Sequence, residues 1–120
     1  MKRNWDTIRE LLVKVEACTL PSEIVTLSQF EQERHAEISY HMALLIEAGL
    51  VQGHMSQSIG PSVKHFMASR LSWQGHEFLD AIRNDTIWNK TKKLFLEKGV
   101  DMSFDLVKSA AASFMAAALG

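Results

Sequence analysis

The apolar positions change period several times along the chain, and each change marks an element. Trp5, Ile8, Leu11, Leu12 and Val15 recur at helical spacing, with Arg9, Glu10, Lys14 and Glu16 on the opposite side. Asn4 is an N-cap residue and Asp6 suits the positive end of the helix, so a first helix is predicted over 4–17. Glu10 and Lys14 stand in the favourable i, i+4 order. Pro21 disfavours a helical Leu20 and breaks the pattern. The short β-branched run 23–27 then predicts a strand. From Ser28, a cap candidate, to Ala48 the pattern is helical again, with Ile38, Met42 and Leu45 on one face and Gly49 as the stop.

Leu50 begins a strand predicted to run to Met55 or Ser56, and Val63–Leu71 reads as its return. The intervening 56–62 is rich in turn formers, so the two strands form a hairpin. Ser72 is placed as the cap of a further helix with Trp73, Phe78, Leu79 and Ile82 inward. Asn84 and Asp85 interrupt it. Thr86 is placed as the next cap, with Ile87, Trp88, Leu94 and Phe95 inward, Lys90, Lys92 and Lys93 outward, and Gly99 as the end. A last, Ala-rich helix is expected over 103–119, its apolar side made of Phe104, Val107, Ala111, Phe114 and Leu119. Helices around one small antiparallel sheet make an α+β fold, expected as a domain over 1–100 with a terminal helix over 101–120.

Two segments carry a resemblance. HMALLIEAGLV (41–51) resembles the end of the recognition helix and the first wing strand of MarR-, ArsR- and PadR-like winged helices. LSWQGHEFLDAIR (71–83) resembles the segment that leaves the wing in that superfamily. From MKRNWDTIRELL through GHEFLDAIRNDTIWNK, over about residues 1–100, the chain is similar to a family of small bacterial and prophage proteins classed as a domain of unknown function. The resemblance implies a winged helix with extra C-terminal helices and a link to mobile elements; it implies no activity. One departure stands out. Between Leu27 and the recognition-like helix lies only SQFEQERHA, about one turn's worth of a positioning helix, whereas a helix-turn-helix needs two helices.

Composition adjusts what this fold implies. The 120 residues carry 13 basic and 14 acidic side chains, a net charge of −1, and a dedicated nucleic-acid binder usually has a basic excess. Between positions 20 and 70 the basic residues are Arg34, Lys64 and Arg70, against Glu23, Glu31, Glu33, Glu37 and Glu47. The outward positions of the recognition-like helix are read as Glu33, Arg34, Glu37, Ser39, His41 and Glu47. For a DNA ligand, Arg34, Ser39 and Tyr40 are the candidates for base edges, Lys64 and His65 are the candidates for the backbone, and Arg70 is a further candidate for DNA contact. Two readings of this face stand side by side: a DNA-binding regulator of a phage or mobile element, and a protein-interaction module that is a phage-encoded adaptor or inhibitor of a host protein.

The remaining chemistry is sparse. All five His lie between 35 and 76, and Glu37 and His41 share a helical face. Without a Cys pair or HExxH they do not make a metal site, and no cofactor is expected. His41 is expected to bond to backbone instead. Lys90, Lys92, Lys93 and Lys98 read as the solvated side of an amphipathic helix, and Trp5, Trp73 and Trp88 as core anchors. No P-loop, GxSxG or Cys–His couple is present, so no enzyme is expected. Val107, Ala111, Phe114 and Leu119 are the candidates for a homodimer contact. The single Cys18 fits a reducing compartment. The N-terminus, charged throughout, does not read as a secretory leader, and no run reaches the ~20 apolar residues of a membrane span. A cytoplasmic protein is expected.

Overall fold

The computed structural model describes residues 1–57 and 63–120, and its fold is α+β: five α-helices and a three-stranded antiparallel sheet. The chain divides into two compact units, Met1–His76 and Glu77–Gly120.

In the first unit, α1 spans Trp5–Glu16. Asn4 caps it as expected, its side-chain oxygen accepting from the backbone N–H groups of Asp6 and Thr7 at 3.0 and 3.3 Å. Ile8, Leu11, Leu12 and Val15 form its buried face. Strand β1 is shorter than the predicted 23–27, only Val25–Thr26. The single helix predicted from Ser28 to Ala48 is not formed. Two 3-10 turns, Leu27–Gln29 and Gln32–Arg34, precede α2, His35–Glu47. Between the turns the backbone of Phe30 and Glu31 is extended. Local polar bonds compete with a helix there: Gln29 Nε2 donates to the Ile24 carbonyl at 3.0 Å, and the Thr26 and Ser28 hydroxyls meet at 3.0 Å. A contact distant in sequence adds to this, since the Phe30 ring lies 4.6 Å from Lys14 Nζ.

After α2, Gly49 adopts a left-handed conformation (φ 77°) and turns the chain into β2, Val51–Met55. Strand β3 is Phe66–Leu71, starting three residues later than the predicted Val63. The sheet order is β1-β3-β2. Gln52 faces Arg70 and Gly53 faces Ala68, so β3 carries one extra residue, Ser69, a β-bulge whose hydroxyl donates to the Gln52 carbonyl at 3.1 Å. Val25, Val51, Phe66, Ala68 and Leu71 turn to the core against α1 and α2. Most of the loop predicted over 56–62 lies outside the described residues.

The second unit holds most of α3, Trp73–Ile82, together with α4, Asp85–Lys98, and α5, Phe104–Leu119. Phe78, Leu79, Ile82, Ile87, Trp88, Phe95, Val107 and Ala111 are its buried apolar side chains. Two expectations fail here. Trp73 is 77% exposed, because at helical spacing it points opposite to Phe78, Leu79 and Ile82. Asn84, not Thr86, caps α4: its side chain accepts from Ile87 N at 3.0 Å, and its carbonyl from Trp88 N at 2.8 Å. Ser72 caps α3 as expected, accepting from Gly75 N, and Ser103 caps α5, accepting from Leu106 N. Gly99 ends α4 with φ 64°.

Gly75 is required by close approach, since a Cβ there would collide with the backbone carbonyl of Leu50, which Ser72 N already engages at 2.9 Å. Backbone pinned in this way relaxes poorly. Gly75→Ala is expected to cost about 1–3 kcal/mol, read as a drop of several degrees or more in Tm relative to the wild type.

Candidate functional site

A polar junction fastens α2 to the start of α1. The backbone N–H of Asn4 donates to His41 Nε2 at 2.7 Å, and His41 Nδ1 lies 2.7 Å from the Glu37 carbonyl. An amide N–H can only donate and a carbonyl can only accept. The ring is therefore the neutral tautomer with its proton on Nδ1. His41 is almost fully buried, and Tyr40 meets its ring edge-on, with centroids 5.4 Å apart. Thr7 Oγ1 donates to Glu37 Oε1 beside it. Farther out, the Arg34 guanidinium grips both carboxylate oxygens of Glu10, at 2.8 and 2.7 Å, and stands 3.6 Å from Glu37. The hydrogen bonds from Arg34 hold the Glu10 carboxyl below its ordinary range, against a smaller opposing effect of burial. The same bonds raise the Arg34 pKa.

This junction settles what α2 presents. Of the positions read as outward, His41 and Ser39 are buried, which corrects that reading. Ser39 Oγ donates to the backbone carbonyl of Lys64 at 2.7 Å, so it ties the hairpin to α2. Arg34 is occupied by Glu10 and Glu37, and His35 Nε2 lies 3.0 Å from the Phe30 carbonyl. The exposed side of α2 is Ala36, Tyr40 and Glu47, with Ala43 half-buried between them.

The hairpin differs in charge from the rest of the first unit. From Ala48 to His76 there is no Asp or Glu, while Lys64 and Arg70 lie within that run with His54, His65 and His76. Lys64, His65, His54 and Arg70 are exposed. Arg70 Nε donates to Gln52 Oε1 at 2.6 Å across the strands, which orients the guanidinium. At the far end of the described ladder, Ser56 N donates to the His65 carbonyl and His65 N to Ser56 Oγ, at 2.7 and 3.0 Å. The acid-free run was available from the sequence alone, but averaging charge over 20–70 concealed it behind the acids before Ala48. On the outer side of the sheet lies an open groove of about 730 Å³, whose lining includes Ile24, Ile46, Val51, His54, Met67 and Ser69.

The five DNA candidates thus separate. Lys64 and Arg70 both lie on the hairpin, at opposite ends of its second strand, Tyr40 is partly exposed on α2, and Arg34 and Ser39 are engaged within the fold. Among the dimer candidates, Val107 and Ala111 are completely buried, Phe114 is half-buried and Leu119 is 82% exposed. Lys90, Lys93 and Lys98 are exposed, Lys92 lies 5.5 Å from the ring of buried Trp88, and Lys93 pairs with Glu97 at 3.7 Å. Among the described residues no three His, Cys, Asp or Glu gather to hold a metal, and no helix is long and apolar enough to cross a membrane.

Removing the buried ring from the junction is expected to cost far more than removing the exposed ion pair. His41→Ala leaves a cavity and the Asn4 N–H unpartnered, about 2–4 kcal/mol by denaturant unfolding. Glu10→Gln removes a pair whose side chains are 34–43% exposed, below about 1 kcal/mol. The Glu10 contribution has a defined pH window. Its folded pKa lies below 4.5, so the pair stabilises above that pH and the benefit is lost as pH falls through the folded value. Wild type and Glu10→Gln are therefore expected to converge in stability as the solution is acidified from pH 4.5 down through the folded pKa of Glu10.

Comparison with known proteins places the chain. Residues 2–101 match the family described as "Hypothetical protein (DUF2513)". An uncharacterised protein of Haemophilus influenzae strain Rd is 40% identical over 111 residues, which is 92% of each chain. No solved structure matches significantly. The family resemblance noted in the sequence is thereby borne out at this level, and the chain belongs to the family described as "Hypothetical protein (DUF2513)".

Proposed function

We propose that the protein is a small winged-helix DNA-binding protein, a transcriptional regulator of a phage or mobile element, without enzymatic activity and acting in the cytoplasm. The observation that carries this reading is the order of elements. α1, β1, the two 3-10 turns, α2, β2 and β3 follow one another with strand order β1-β3-β2. That is the order expected of a winged helix, with α2 in the place of the recognition helix and β2–β3 as the wing. The two 3-10 turns take the place of the positioning helix, and the charge of the hairpin suits an anionic ligand. Binding to duplex DNA tests this reading directly. Fluorescence anisotropy with labelled duplexes of about 20 base pairs at low salt is expected to give micromolar binding that weakens steeply as salt rises. Absence of binding up to about 100 μM protein, the weak end of ordinary non-specific affinity, would sink it.

A second reading is favoured by one specific observation. The exposed side of α2 is Ala36, Tyr40 and Glu47, without a cation, which suits a protein partner better than a DNA groove. A host protein held by this face would leave duplex affinity near zero and would be retained through nuclease treatment.

A homodimer is part of the proposal. With Val107 and Ala111 inside the chain, Phe114 and Leu119 are what remains of the four candidates for a partner copy on α5. Sedimentation equilibrium is expected to give twice the 13.5 kDa chain mass, and Leu119→Glu to shift the mass toward the monomer. A monomer at all concentrations would remove the dimer.

A further inference from the structure

We infer that the contact with duplex DNA is made by the β2–β3 hairpin through the phosphate backbone, and that α2 does not act as the reading helix. The inference rests on the DNA-binding reading above and specifies its surface.

The charges divide sharply. Before Ala48 the chain carries eight acids (Asp6, Glu10, Glu16, Glu23, Glu31, Glu33, Glu37, Glu47) and five bases (Lys2, Arg3, Arg9, Lys14, Arg34). From Ala48 to His76 it carries only bases. A polyanion approaching the first unit is repelled by the former surface and attracted by the latter, since affinity for duplex comes mainly from Lys and Arg neutralising phosphates.

The polar groups divide in the same way. A helix that reads the major groove needs side-chain donors and acceptors aimed at base edges. Along α2 most of them are turned elsewhere, the Tyr40 hydroxyl excepted: His41 is bonded to Asn4 N and the Glu37 carbonyl, Ser39 to the Lys64 carbonyl, and His35 lies beside the Phe30 carbonyl. Arg34, just before α2, is held by two carboxylates. Ala36 and Tyr40 remain outward, followed by Glu47, which phosphate repels.

On the hairpin the opposite holds. Lys64 is exposed and makes no ion pair among the described residues, and Arg70 keeps its terminal guanidinium nitrogens outside its bond to Gln52. Gln52, His54 and His65 are exposed beside them as further polar groups. The backbone that carries Lys64 is fixed by the Ser39 bond, and the ladder is closed by Ser56 and His65. Two cations on a held backbone give phosphate contact without base readout. The expected binding is therefore nearly independent of sequence, with a salt slope of about −2 per protomer.

The test compares three variants with the wild type by anisotropy on a labelled random 20-base-pair duplex at about 50 mM salt. Lys64→Glu/Arg70→Glu is expected to weaken binding by about tenfold or more. Tyr40→Ala/Ala36→Glu is expected to stay within about threefold, and the rescue Lys64→Arg/Arg70→Lys likewise. Thermal unfolding confirms that each variant folds; all four substituted sites are exposed. If Tyr40→Ala/Ala36→Glu abolishes binding while Lys64→Glu/Arg70→Glu retains it, the hairpin inference is overturned and the DNA reading survives. If the wild type binds no duplex, both fall. Polyglutamate at equal charge serves as a competitor. Displacement as effective as by unlabelled duplex makes the hairpin an acidic-protein site and overturns the DNA assignment; displacement only at much higher charge supports it.

Discussion

A single buried imidazole constrains much of what this molecule can present to a partner. His41 has one nitrogen that must accept and one that must donate, and both partners are backbone groups in fixed positions. The acceptor nitrogen meets Asn4 N just before α1 begins, where the Asn4 side chain is already capping the first turn. Asn4 is thus satisfied twice over, by its own helix and by α2. A buried polar network with every bond made rigidifies the surrounding packing. The consequence is rotational. With Ile38, Met42 and Leu45 in the core and His41 clamped beside them, α2 has only one face left for solvent. That face holds Ala36, Tyr40 and Glu47.

The same clamp explains why cations near α2 are poor candidates for ligand contact. Arg34 sits where the chain enters α2, within reach of Glu10 on α1 and Glu37 one turn ahead. Its fork on Glu10 is bidentate, the geometry in which Arg and carboxylate bind best. An incoming phosphate would have to displace that pair and leave Glu10 facing the same anion. Lys64 faces no such competition, since the contact fixing it runs through its backbone carbonyl and leaves its ammonium outward.

Much of the architecture was legible in the residues because it depends on short-range rules. Asn4, Gly49, Ser72, Gly99 and Ser103 mark helix ends through capping chemistry that acts within a few positions, and each stands where those rules put it. The pairing of β2 with β3 follows from two strands joined by a turn-rich stretch. What escaped was decided by distant partners. Ser28 to Arg34 has helical composition, yet Phe30 meets Lys14 on α1 and the backbone there is extended. Ser39 and His41 look like outward polar residues on a helical wheel, and only the carbonyl of Lys64 and the amide of Asn4 explain their burial. Trp73 is a different kind of miss: its place in the first turn of a helix suggested an anchor, but its phase along α3 already pointed away from Phe78 and Ile82. The candidate site was half legible, since Lys64 and Arg70 were singled out for their charge while the burial of Ser39 and the capture of Arg34 were not visible.

The bulge at Ser69 bears on the proposed role of the hairpin. An extra residue in one strand bends it and increases its twist. Here the insertion lies next to Arg70, so the guanidinium leaves the sheet beside the bulge, and Gln52 opposite holds it by Nε. Lys64 lies before the start of β3, tied to α2 by Ser39 rather than by the ladder. The two cations are therefore anchored by separate devices at opposite ends of one strand. Six residues along an extended chain span roughly 20 Å, against about 3.4 Å of helix axis per phosphate of one strand in duplex DNA. A duplex lying along the hairpin would meet these charges at well-separated phosphates, and each would act almost independently. Independent contacts of this kind predict additive losses from single charge removals, whereas one shared phosphate would predict that either removal alone abolishes most of the binding.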